Sequence, residues 1–121
     1  MREDRPWGHY YVLSSFAGNP GFQVKRLVLD PGKQFSLQSH DHRDEYWVVV
    51  KGLAIVTLGS TEYKKGIGEV VKVPKTMIHR AMNPGLEELI IIETQIGNPL
   101  SEDDIHRYKD DFGRPTERYK K

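Results

Sequence analysis

Turn-forming clusters recur along this chain so closely that only short segments remain between them. Gly18-Asn19-Pro20-Gly21, Asp30-Pro31-Gly32, Lys51-Gly52, Gly59-Ser60, Gly66 with Gly68, Pro74 and Asn83-Pro84-Gly85 break the sequence at intervals suited to strands. Residues 22–29 alternate, with Val24, Arg26 and Val28 on one face and Lys25, Leu27 and Leu29 on the other. Residues 35–42, 45–50, 53–58, 63–65, 70–73, 80–82 and 86–93 continue the series. His9-Tyr10-Tyr11-Val12-Leu13 reads as an aromatic edge strand. The pattern is all-β and predicts a closed or double-sheet barrel. That aromatic edge, left open for pairing, predicts a homodimer.

The carboxyl-terminal stretch reads differently. Ser101-Glu102-Asp103-Asp104 has capping-box spacing, Ile105, Tyr108 and Phe112 share a helical face, and Gly113 supplies a stop. A short helix is therefore expected there, followed by a flexible basic tail over 115–121. The 121 residues predict a single domain over 1–121 with its core in 5–114, too small for a second catalytic domain.

Lys and Arg number 18 against 17 Asp and Glu, which excludes the global field that would draw nucleic acid or an anionic membrane. The absence of cysteine excludes disulfides, thiolate ligands and cysteine nucleophiles. With a charged start and no long apolar run, these features predict a soluble cytoplasmic protein with no membrane partner.

Chemistry concentrates in Gln38-Ser39-His40-Asp41-His42-Arg43-Asp44-Glu45. On an extended strand Gln38, His40 and His42 point together. Glu45 lies an odd step from His40 and joins that face only if the polar residues 41–44 turn or bulge. A further ligand must come from far along the chain, and His79, beyond the 70–73 strand and Pro74, is best placed. Gln38, His40, Glu45 and His79 would hold one divalent ion, zinc first, with manganese, nickel, cobalt or iron as alternatives. His42 would crowd that set, so it either touches substrate and ligands from outside or lies exposed. The Gln38 amide is neutral, which leaves the ion net positive and favours Lewis-acid action. Lys25 enters the barrel mouth if Leu27 and Leu29 face inward, or snorkels out. Arg43 and Arg80 adjoin ligands and either bind phosphate or face solvent.

Two spaced motifs carry a resemblance. Gly32, Gln38-x-His40, Glu45 and Gly52 resemble the first cupin motif, and Gly68, Pro74, His79 and Asn83 the second, with Thr76 where a glycine is common. Within the cupins, Arg5-Pro6-Trp7-Gly8, the 36–47 stretch, His79-Arg80-x-x-Asn83-Pro84-Gly85, Glu102-Asp103-Asp104-Ile105 and Asp110-Asp111-Phe112-Gly113-Arg114 resemble the type II mannose-6-phosphate isomerase domain. That domain closes bifunctional mannose-1-phosphate guanylyltransferase/isomerase proteins. Asp44, Tyr46 and Asn98-Pro99 depart from its pattern. The resemblance implies a cupin, a double-stranded β-helix or jelly-roll barrel, and a catalytic role for Arg114, which composition alone would leave as a solvated tail residue.

The reaction so implied interconverts mannose 6-phosphate and fructose 6-phosphate through a cis-enediol. It needs charge stabilisation, a base reaching two carbons and a phosphate anchor. Arg114, Lys25 and His42 are the candidate catalytic residues, Lys25 or His42 carrying the proton, and Arg43 and Arg80 are candidates for the sugar phosphate. Two alternatives stand beside it: a cupin that binds a sugar or sugar phosphate without converting it, and a different metal-dependent cupin enzyme. An iron oxygenase fits less well, because such sites usually show histidine or carboxylate where Gln38 stands.

Overall fold

Side-chain alternation decides which face of each strand turns inward, and here it does so with a change of chemistry along the strand. The computed structural model describes residues 1–117. Its strands are β1 (Arg2–Arg5), β2 (Gly8–Phe16), β3 (Gly21–Leu29), β4 (Leu37–Ser39), β5 (Arg43–Lys51), β6 (Ala54–Leu58), β7 (Thr61–Lys65), β8 (Val70–Val73), β9 (His79–Met82), β10 (Leu89–Gly97) and β11 (His106–Lys109). They form two antiparallel sheets, β1-β2-β3-β10-β5-β8 and β11-β4-β9-β6-β7. The all-β barrel expected from the turn spacing is therefore present.

Leu27 and Leu29 of β3, Trp47 and Val49 of β5, and Leu89 and Ile91 of β10 are buried and meet Val56 and Ala81 of the other sheet in one core. Towards the other end the same inward faces become polar: Lys25, Arg43, Glu45, Glu93 and Gln95 are all buried. The register aligns them, with Lys25 and Trp47 both opposite Glu93 and with Glu45 opposite Gln95. The barrel thus has an apolar end that supplies hydrophobic stabilisation and a polar end that must find partners for its charges.

Three expectations need correction. No helix occurs among the described residues. Ser101 Oγ does accept the Asp103 amide at 3.1 Å, but a single turn follows, and from His106 the chain runs extended as β11 against β4. The competing interaction is tertiary. The Asp104 carboxylate accepts the backbone amides of Asp41 and His42 at 2.9 and 3.0 Å, which ties this segment to the loop after β4 and lets β11 satisfy an otherwise open edge. Second, β2 is covered over part of its length, because Arg2–Arg5 pairs with Gly8–Tyr11 as β1, and the edge that stays open runs from Val12. Third, the strand expected over 35–42 is confined to Leu37–Ser39, and the chain bends at Asp41 and His42. Of the expected tail, residues 118–121 lie outside the described residues. No helix is long and apolar enough to cross a membrane.

Thr76, where the cupin pattern commonly has glycine, adopts φ +67° and is exposed, and its amide donates to the His40 carbonyl at 2.7 Å. A β-branched residue in the left-handed region is strained.

Candidate metal centre

The bend after His40 allows the expected ligands to converge. Three residues move the chain from β4 into β5, so that His40 and Glu45 face each other across the polar end of the barrel. His79 reaches the same point from β9, which pairs with β4 through Gln38. His40 Nε2 lies 3.3 Å from Glu45 Oε2, and His79 Nε2 lies 3.6 Å from Glu45 Oε1. The three ligand atoms of His40, Glu45 and His79 are mutually within 4.8 Å, and all three residues are buried.

Hydrogen bonds on the far side of each ring set the tautomers. His40 Nδ1 donates to the Asp104 carbonyl at 2.6 Å and His79 Nδ1 to the Met77 carbonyl at 2.9 Å. A carbonyl can only accept, so both rings carry their proton on Nδ1 and turn an Nε2 lone pair towards Glu45. Burial, then the Arg43 guanidinium, pushes His40 down to about 3, and burial pushes His79 down to about 4. Both imidazoles are neutral at pH 7, as metal ligation requires. His79 Nε2 is buried with no hydrogen-bond partner. Two neutral imidazoles, a carboxylate and an orphaned lone pair fit a borderline-soft divalent ion. Gln38 lines the same pocket, with its Oε1 accepting the Ser36 hydroxyl at 2.8 Å.

Arg43 is the closest neighbour of this cluster. Its Nε donates to Glu45 Oε2 at 2.8 Å, its Nη2 to His40 Nε2 at 3.2 Å, and its Nη1 to the Ser101 carbonyl at 3.2 Å. Lys25 faces inward as the Leu27 and Leu29 face implies, with Nζ 2.7 Å from Glu102 Oε2 and 4.3 Å from the centre of the Tyr10 ring. Burial works to raise Glu102, but the Lys25 ammonium together with Arg43 and Arg5 outweighs it and holds the carboxyl low. Arg114 also lines the pocket, with its fork held bidentately by Asp110 at 2.9 and 3.0 Å.

Two candidates are not brought together with these. His42 is exposed, because the bend that aligns His40 with Glu45 breaks the alternation that would have placed His42 beside them. Arg80 follows His79 and so takes the opposite face of β9, where Nε and Nη2 donate to the carbonyls of Phe35 and Lys109.

Sequence reasoning missed Glu93, Glu102 and Arg107, all on the pocket wall. Burial, then the charge of Glu45, pushes Glu93 up to about 7. Trp47 Nε1 donates to its Oε2 at 3.1 Å and Gln95 Nε2 to its Oε1 at 2.7 Å. The signal for Glu93 was its parity with Leu89 and Ile91 on an inward face. The pocket opens to solvent at its mouth.

One glycine permits this geometry. Gly97 ends β10 opposite Arg43, and a Cβ there would come 1.9 Å from the His42 carbonyl oxygen. The loop carrying His40 therefore lies against bare backbone.

Two facing antiparallel sheets with a His-Glu-His cluster at the polar end define a cupin, and solved structures agree. Capsular polysaccharide assembling protein CapF from Staphylococcus aureus superposes with TM-score 0.75 and 17% identity over 90% of this chain and 34% of that one. An RmlC-like cupin from Shewanella frigidimarina gives TM-score 0.69 and 23% identity over 85% and 86%. The chain belongs to the family described as Mannose-6-phosphate isomerase C-terminal, which matches residues 2–110. Alginate biosynthesis protein AlgA of Pseudomonas aeruginosa is 42% identical over 93% of this chain. Xanthan biosynthesis protein XanB of Xanthomonas campestris is 44% identical over 91%, and mannose-1-phosphate guanylyltransferase ManC of Salmonella typhimurium 41% over 91%. The chain spans less than a quarter of each relative, 23%, 23% and 22%.

Proposed function

We propose that this domain is a metal-dependent isomerase interconverting mannose 6-phosphate and fructose 6-phosphate. The observation that carries the reading is the convergence of His40, Glu45 and His79, with both imidazole lone pairs aimed at one point in a chain of this family. Gln38 would complete the ligand set from the pocket wall. A divalent ion bound there supplies Lewis-acid polarisation of a sugar oxygen.

The remaining work falls to the chain's own residues. Aldose-to-ketose conversion removes the proton from C2 and returns one to C1. Glu45 is engaged by Arg43 and Glu102 by Lys25, whereas Glu93 accepts only from the neutral Trp47 and Gln95 and makes no ion pair among the described residues. Glu93 is therefore the carboxylate assigned to move the proton, in place of Lys25 or the exposed His42. Arg114, its fork fixed by Asp110, would stabilise charge on the enediol oxygens.

One observation favours a second reading. Arg43 Nη2 sits on His40 Nε2, a position in which the guanidinium rather than an ion neutralises Glu45. A pocket of that kind would bind a sugar phosphate without converting it. A coupled assay for fructose 6-phosphate from mannose 6-phosphate decides between them. Turnover should appear, vanish with chelator, return with zinc, and fall by about 10²–10⁴-fold in Glu93→Gln. No product with or without added metal would leave the binding reading.

A further inference from the structure

The cations of the pocket are paired, with one exception. Arg43 lies 2.8 Å from Glu45, Lys25 2.7 Å and Arg5 3.6 Å from Glu102, and Arg114 2.9 Å from Asp110. Arg107 of β11 makes no ion pair among the described residues, and its Nε is buried without a hydrogen-bond partner. Burying a guanidinium N–H with nothing to receive it is costly, more so beside like charges. Burial and then the charge of Arg114 lower the Arg107 pKa, with Arg5 adding in the same sense and Asp110 and Glu102 opposing them without reversing the shift. Three guanidiniums thus share a wall whose two carboxylates, Glu102 and Asp110, are already engaged by other cations. Among the described residues, the guanidinium left without a direct partner is that of Arg107.

The register says where such an anion would sit. Arg107 is paired with Gln38, and Gln38 with His79, so the three lie side by side across β11, β4 and β9. Two strand spacings separate Arg107 from His79, about 10 Å between Cα atoms. A small molecule held at Arg107 by one end can therefore present its other end to the His40, Glu45 and His79 cluster.

We propose that Arg107 is the phosphate receptor of this pocket, the residue that holds the end of the ligand remote from His40, Glu45 and His79. Arginine suits this task because its fork meets two phosphate oxygens at once. The inference deepens the isomerase reading and rests on it only for what lies at the far end of the ligand.

The test is calorimetric titration of the metal-loaded protein with inorganic phosphate, alone and in Arg107→Gln and Arg107→Lys. Arg107→Gln should weaken phosphate binding by about tenfold or more with metal content unchanged, and Arg107→Lys should restore only part of the loss. Phosphate affinity of Arg107→Gln within about twofold of the parent overturns the proposal. Should Arg107→Gln fail to fold, the parent protein still decides. Phosphate should raise its melting temperature where chloride at equal ionic strength does not, and no phosphate-specific rise overturns the proposal as well. Phosphate binding lost in Arg107→Gln, in a protein that makes no fructose 6-phosphate, would uphold this receptor and sink the isomerase. Turnover with KM and phosphate affinity untouched by the substitution would do the reverse.

Discussion

At the scale of single residues, the chain reveals donors well and company poorly. The meeting of His40, Glu45 and His79 was legible because ligand chemistry narrows the candidate residue types and two spaced motifs fix the intervals. Elemental analysis should find metal lost from both His40→Ala and His79→Ala, the second also losing stability through the cavity opened beside Phe35 and Trp47. Full occupancy in both would remove the assignment. Thr76 gives a prediction of opposite sign. An exposed threonine at φ +67° stores strain that glycine would release, while glycine gives the unfolded chain more freedom. Thr76→Gly should be more stable by up to about 1 kcal/mol in denaturant titration, and a destabilised variant would show that the strain is absent.

At the scale of elements, local signals failed where distant partners competed. Ser101 to Gly113 carries helix punctuation, yet the Asp104 carboxylate caps the 41–42 backbone instead, and the segment becomes a strand. No spacing within 101–113 could disclose that, because the competing amides lie about sixty residues earlier. Arg107 was hidden for the same reason, whereas Glu93 was not: its parity along β10 was open to inspection. β11 also makes a pH prediction. His106 donates to Asp41 and Glu117, and these bonds raise its pKa from 6.5 to about 9. A pKa raised by folding means that the stabilisation is full below 6.5 and is lost as pH rises through about 9. The stability difference between the parent and His106→Gln should therefore shrink across that interval in denaturation curves. A difference independent of pH would show that the charge is not involved. His106 is partly exposed, so the effect should be small and weakened by salt.

At the scale of the molecule, stability and chemistry occupy opposite ends of one barrel. This division was readable in outline, since β3 announces it by placing Lys25 in phase with Leu27 and Leu29. Ile91 belongs to the apolar end and has no exposure, so Ile91→Ala should cost about 2–5 kcal/mol in chemical denaturation while metal content stays whole. Loss of metal in the folded variant would mean that the two ends are coupled.

Gly97 offers no donor, charge or apolar surface, and it contributes only the room in which the His42 carbonyl sits. Its importance is therefore invisible to any survey of functional groups, but not to a survey of tolerance. In a saturation library sorted for folded protein and then for bound metal, most positions flanking a ligand should accept several residue types. Position 97 should accept none, alanine included, because the obstacle is backbone that no rotamer can avoid. Recovery of Gly97→Ala with its metal intact would show that the loop can retreat. Failure would mark a vacancy, rather than a side chain, as one of the least replaceable parts of the centre.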